Sequence, residues 1–214
     1  MKYYGQFKPP VDQIINERYF KNKFNGTSIE AGALDGIWDS STYFFKKNFN
    51  WKTINIEPLS NMFNKLIKNR PDSINLHLAL SDSSGVSTIR NYRHKTLGYD
   101  WGNASLNHTP EHKKQLEAEC GKDNYIEEHI KTVTYSDLII NLSIKELDLF
   151  VLDVEGHEFK VIDGMKTATV FPKVFVIEHG HRKPEDFINK LKELPVSYKL
   201  DIISHVNSYF VLID

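Results

Sequence analysis

Apolar and polar positions switch between two periods along the chain, and each switch marks an element. Val11, Ile14, Ile15 and Tyr19 recur at helical spacing, which predicts a helix over 11–22 ending near Asn25-Gly26. The arm before it, residues 3–10, is kept out of a helix by Pro9-Pro10. Residues 27–30 read as a first strand that stops in a turn carrying Gly32 and Gly36, where a side chain would block the backbone path. Ser40-Ser41-Thr42 offers an N-cap to a short helix over 43–48. Residues 51–57 alternate into a second strand closed by Pro58. Met62, Phe63, Leu66 and Ile67 make 60–68 helical. Residues 73–80 are expected as a single third strand, followed by a polar loop over 81–85 and a further strand over 86–92.

Residues 93–107 follow neither period, and 110–119 form a charged helix, so 93–130 reads as an insertion serving as a lid. A short strand over 130–133 and a helix over 135–142 come next. Residues 148–154 are an almost unbroken apolar run, the pattern of a central parallel strand buried on both faces, and Gly156 ends it. A helix is expected over 159–165. Residues 173–178 repeat the buried pattern and lead into His179-Gly180-His181, then a helix over 184–194. Strands over 198–203 and 208–213 are joined by four residues, hence antiparallel. Alternating strand and helix, closed by an antiparallel hairpin, predicts a doubly wound, Rossmann-like α/β sheet. No repeat or linker marks a boundary. One domain over 1–214 is expected, with an arm and helix over 1–25 and the insertion over 93–130.

Composition changes this picture little. Twenty-seven basic side chains face 28 acidic ones, so no net field draws the chain to nucleic acid or a membrane surface. Cys120 is the one cysteine, which excludes an internal disulfide and a cysteine metal cluster. The start has no apolar run of a signal peptide, and no stretch approaches the roughly 20 apolar residues of a membrane span. A cytoplasmic protein is expected. Oligomeric state has no signature.

The chemistry gathers at the strand ends. Ligands of such sheets bind beyond the carboxyl ends of the strands. Those ends carry Glu30, Glu57, Asp82, then Asp153 with Glu155, and Glu178 with His179. Glu57 stands roughly 20 residues past the glycine turn, where an acid accepts ribose hydroxyls. Asp82 is placed to accept from an adenine amino group, or else is a plain turn residue. Asp153, Glu155, Glu178 and nearby histidines suit a hard divalent cation, the positive centre of a ligand, or a general base. Glu158 is better read as an acid opening a helix. His157, His179 and His181 are the candidate proton acceptors, since an imidazole pKa of about 6.5 suits that work. His108 is the strongest of the others.

The set Glu30-Ala31-Gly32-Ala33-Leu34-Asp35-Gly36, Ser41-Thr42, Ile56-Glu57-Pro58, Ala79-Leu80-Ser81-Asp82 and Leu149 to Glu158, preceded by Tyr4-Gly5-Gln6, resembles the FkbM-type S-adenosylmethionine-dependent methyltransferases. The resemblance spans most of 4–92 and 132–180 and leaves 93–130 uncovered. It implies a seven-stranded class I methyltransferase fold whose last strand is antiparallel. It implies S-adenosyl-L-methionine as cofactor, held by Gln6, Glu30, Gly32, Asp35, Thr42, Glu57, Ser81, Asp82 and Asp153. It also implies methyl transfer to oxygen on a sugar, a glycan or a similar small hydroxylated acceptor. Under that reading His157 or His179 is the base beside Asp153. Asp153, Glu178 and His179 form a candidate Mg²⁺ site, and Tyr99, Trp101, His108 and His181 meet the acceptor. Two rivals remain. One is a nicotinamide oxidoreductase, against which Asp35 would repel a pyrophosphate. The other is a non-catalytic nucleotide-binding domain.

Overall fold

The two longest apolar runs become the centre of the main sheet. The computed structural model describes residues 1–180 and 182–213, so the expectation for His181 falls outside the described residues. In chain order the elements begin α1 (Val11–Arg18), β1 (Thr27–Ala31), α2 (Tyr43–Phe49), β2 (Lys52–Ile56) and α3 (Ser60–Asn69). Next come β3 (Ile74–Leu76), β4 (Ala79–Ser81), β5 (Gly85–Tyr92), α4 (Pro110–Cys120), β6 (Tyr125–Thr134) and α5 (Tyr135–Asn141). The chain closes with β7 (Leu147–Leu152), α6 (Glu158–Asp163), β8 (Pro172–Glu178), α7 (Pro184–Leu191), β9 (Ser197–Ser204) and β10 (Asn207–Ile213).

The main sheet has seven strands in the order β3-β2-β1-β7-β8-β10-β9. β1, β2, β3, β7 and β8 pair in parallel, and β10 runs antiparallel to both its neighbours. β7 and β8 alternate strictly. Phe150, Leu152, Phe175 and Ile177 face α5, α6 and α7, whereas Leu149, Val151, Val174 and Val176 face α1 and α2. Both sets are almost fully removed from water, and each large side chain so buried contributes about 1.5–3 kcal/mol. The Phe150 and Phe175 rings stack with centroids 4.9 Å apart. Among the described residues no helix is long and apolar enough to cross a membrane.

The structure corrects the expected bounds of two strands and two helices. The third strand is not continuous over 73–80. β3 pairs with β2 in the main sheet, then the chain leaves, and β4 pairs with β6 in a second sheet of order β4-β6-β5. Ile74, Leu76, Leu78 and Leu80 keep one alternation throughout, so the pattern hides the change of partner. The strand expected over 130–133 extends through ten residues, because its polar half, Tyr125 to His129, pairs antiparallel with β5. One face of that ladder meets solvent, so its outer positions need no apolar residue. The first and last helices stop earlier than expected, at Arg18 and Leu191.

The second sheet matters for function because Ala79, Leu80 and Ile89 lean over the strand-end edge. The insertion also returns there. Ser105 exchanges backbone hydrogen bonds with Arg90, and its hydroxyl donates to the Val154 carbonyl at 3.0 Å.

A candidate cofactor site at the strand ends

The turn after β1 is built for close approach. Gly32 has a φ of +88°, and a Cβ there would lie 1.9 Å from the Asp153 carbonyl oxygen. The ends of β1 and β7 therefore touch, which a side chain would prevent. Glu30 ties down the loop leading into α2. Its carboxylate accepts from the Ser41 N–H at 2.6 Å, Thr42 Oγ1 at 2.6 Å and Ser40 Oγ at 2.8 Å. Arg70, buried after α3, donates to the Gly36 carbonyl and to Thr53 Oγ1, and the nearby Glu30 charge partly offsets the lowering of its pKa by burial. Glu57 accepts from the Leu34 and Leu59 N–H groups at 2.9 and 2.8 Å, joining the loops after β1 and β2.

Two clefts open between these parts. One, of about 630 Å³, lies between Glu57, Pro58, Leu59, Leu80 and the insertion residues Gly102, Ala104, Ser105 and Leu106. A second, of about 480 Å³, runs from Gln6 and Trp38 past Ser41 to Asn207. They share Ala31, Gly32, Leu34 and Asp153. Among the described residues, neither lining contains a lysine or an arginine. A third, smaller cleft of about 320 Å³ adjoins the first at Glu155 and is walled by Thr109, His112, Glu178, His179 and Arg182.

Carboxylates crowd the junction. Asp153, Glu155 and Glu178 bring oxygens within 4.8 Å of one another. Removal from water raises all three carboxyl pKa values. Glu155 and Glu178 rise well above the ordinary range, helped by the charge of Asp153, while a hydrogen bond from Glu178 partly offsets the rise at Asp153. Glu155 also sits in the left-handed region at φ +56°, next to Gly156. Such a conformation in a non-glycine residue is held at a cost.

The other expected site residues divide between the clefts and the framework behind them. Gln6, Gly32, Glu57 and Asp153 line the joined clefts, as does Glu30, whose oxygens are already engaged. Thr42 and Ser81 stand behind the walls, bonded to Glu30 and to His157. Asp35 caps its own turn, accepting from the Ile37 and Trp38 N–H groups. Asp82 ends β4 and not the third main strand. It pairs with Lys160 at 2.7 Å, and that contact holds its carboxyl below the usual range. His157 lines the larger cleft with Nε2 3.0 Å from Ser81 Oγ, and burial pushes its pKa down to about 4. It is a neutral hydrogen-bonding group at neutral pH and a weak base. His179 faces the third cleft with Nδ1 on Ser208 Oγ at 3.1 Å, and it stands outside the carboxylate trio that Glu155 completes. Tyr99, Trp101 and His108 pack inside the insertion: the Tyr99 carbonyl accepts from Asn91, Trp101 meets the His94 ring, and His108 bonds the Asn103 carbonyl. Glu158 opens α6 as expected and accepts from the Val154 and Gly156 N–H groups.

Sequence reasoning missed Arg70, Asp39, Asn207 and the lid residues Ser105 and Leu106. An arginine after an amphipathic helix reads as surface, and only the fold puts it under Glu30. The lid residues have no period to mark them.

Buried carboxyls give the fold a pH signature. Burial raises Asp12 to about 6, Glu158 to about 7 and Glu57 to about 8. A folded pKa above the unfolded value favours the fold while the group is protonated, and that contribution fades as pH rises through the folded pKa. The ligand-free Tm should therefore fall by about 5 °C or more between pH 5.5 and 8.5. A Tm that holds level or climbs would show these groups ionised in the fold.

A sheet with one antiparallel strand next to its edge, and an acid-lined cleft at its strand ends, is the architecture of class I S-adenosylmethionine-dependent methyltransferases. Within that class the chain belongs to the FkbM methyltransferase family, whose domain, described as Methyltransferase FkbM domain, matches residues 30–209. The solved structure of methyltransferase FkbM from Methylobacillus flagellatus KT is similar in fold, with 11% identity and a TM-score of 0.52. The match covers 95% of this chain and 48% of that one, so the chain spans about half that protein's length. A SAM-dependent methyltransferase from Aquifex aeolicus aligns at 10% identity and TM-score 0.47, covering 95% of this chain and 89% of its own. Precorrin-6y C5,15-methyltransferase from Geobacter metallireducens GS-15 aligns at 10% identity and TM-score 0.45, covering 94% and 86%. No curated protein matches the sequence.

Proposed function

We propose that the chain binds S-adenosylmethionine and transfers its methyl group to a hydroxyl of a small hydroxylated acceptor, of the sugar or glycan class. The observation carrying the cofactor part is the pair of joined clefts meeting at Gly32 and Asp153. The larger suits a nucleoside, with Glu57 at the ribose and Pro58, Leu59, Ala79 and Leu80 about the base. The smaller suits the amino-acid half. Linings without lysine or arginine among the described residues favour a cationic ligand and disfavour the pyrophosphate of a nicotinamide cofactor.

The sulfonium supplies an activated methyl group, so the protein's work is to align the acceptor oxygen and remove its proton. An acceptor in the third cleft meets Glu155, Glu178 and His179. As the oxygen–carbon bond forms, the carbon–sulfur bond breaks and the hydroxyl proton passes to His179, whose pKa burial lowers so that the neutral imidazole is the form at hand. The expected Mg²⁺ site is Asp153, Glu178 and His179, whereas the carboxylates that come together are Asp153, Glu155 and Glu178. The hydrogen bond between Glu178 and Asp153 meets their mutual repulsion with a proton, and no step here is routed through a cation.

Calorimetry with S-adenosylmethionine, S-adenosylhomocysteine and NAD tests the cofactor reading, which fails if neither sulfur compound binds. Glu57→Ala should weaken cofactor binding by about 1–3 kcal/mol. An unchanged affinity removes Glu57 from the ribose. A mass-resolved screen of methyl transfer to monosaccharides and small glycans tests the acceptor class.

A further inference from the structure

Among the described residues, one carboxylate of the smaller cleft has nothing to balance it. Three acids line this cleft: Glu30, Asp39 and Asp153. Glu30 is saturated by the donors of residues 40–42, and Asp153 accepts a hydrogen bond from the Glu178 carboxyl. Among the described residues, nothing donates a hydrogen bond to the Asp39 carboxylate or pairs with its charge. It is half-buried, and both removal from water and the charge of Asp35 raise its pKa.

Its position is nevertheless closely determined. The Asp39 backbone lies in the left-handed region at φ +55°. It forms a bridge with Gly5, whose N–H, like that of Tyr4, is held by the buried Asp12 carboxylate at 3.0 and 2.7 Å. On its other side Ser40 turns its hydroxyl onto Glu30. Backbone anchored on both flanks, with a free carboxylate at the mouth of a cation-poor cleft, is the arrangement of a receptor for a positive group. Gln6 and Asn207, on the same lining, carry amides able to donate to a carboxylate.

We propose that Asp39 receives the α-ammonium group of S-adenosylmethionine, and that it makes recognition of the cofactor's amino-acid half depend on this charge. The inference rests on the cofactor reading above. It also separates the two acids of the turn: Asp35 caps the backbone, and Asp39 faces the ligand.

The test compares S-adenosylhomocysteine with 5′-methylthioadenosine, which keeps the nucleoside and sulfur but lacks the amino acid. Asp39→Asn is the variant, because asparagine tolerates a left-handed turn and keeps the shape. By calorimetry it should bind S-adenosylhomocysteine roughly 10- to 100-fold more weakly, while 5′-methylthioadenosine stays within about twofold. Equal losses for both ligands would make Asp39 a structural residue and overturn the proposal, as would unchanged binding of both. If the unsubstituted protein binds neither of these nor S-adenosylmethionine, the cofactor reading itself falls and takes the proposal with it.

Discussion

Replacing Gly32 with alanine should remove cofactor binding and destabilise the fold together. The added Cβ would meet the Asp153 carbonyl oxygen at 1.9 Å, and the obstacle is backbone, which cannot rotate away. The residue also sits at φ +88°, where an L side chain is strained whatever the space. Relief requires β1 and β7 to part at their ends, and that moves Asp153 and opens the junction of both clefts. We expect a loss of more than about 3 kcal/mol in urea unfolding and at least roughly 100-fold in S-adenosylhomocysteine affinity. Gly85→Ala is the control, since its nearest neighbour would be Thr132 Oγ1 at 4.0 Å, and it should change stability by less than about 0.5 kcal/mol. A Gly32→Ala protein that binds ligand within a few-fold of the parent would show that the close approach is dispensable.

Glu30→Ala should be nearly as damaging, for a different reason. The substitution leaves the Ser41 N–H and the hydroxyls of Ser40 and Thr42 without their acceptor, all in a buried setting. It also leaves the Arg70 guanidinium, 2% exposed, without the nearby negative charge. Each buried donor left without an acceptor costs about 1–3 kcal/mol, and three lose theirs together. Glu30→Gln should cost less, since its amide oxygen still accepts, though its NH₂ meets donors. Paired urea titrations read the ranking. If alanine and glutamine cost the same, the loss they share, the charge and the second acceptor oxygen, accounts for the damage and lost packing adds nothing; if glutamine costs nothing, the charge of Glu30 is irrelevant.

Much of this architecture was legible along the chain. The runs at 148–154 and 173–178 announced β7 and β8, because strands buried on both faces must be apolar throughout. The short 204–207 link announced the antiparallel hairpin. Glu30, Gly32, Glu57 and Asp153 were legible because a doubly wound sheet collects its strand ends on one edge. Asp82 was not. Its place depends on the chain leaving the main sheet after Leu76, and an alternating pattern is the same whichever strand it pairs with. His157 was assigned basic chemistry from its neighbours in sequence, yet burial against Ser81 makes it a weak base.

The sequence by itself determined that Glu30, Gly32, Glu57 and Asp153 stand at the strand-end edge, since strand polarity and hydrophobic period are local properties of the chain. Only the tertiary structure decided which of those acids remain available. Glu30 and Asp35 are consumed by donors within their own turns and Asp82 by Lys160 across 78 positions, while none of the described residues consumes Asp39. A carboxylate's charge and partners depend on burial and on groups distant in sequence, and those distances exist only once the chain has folded.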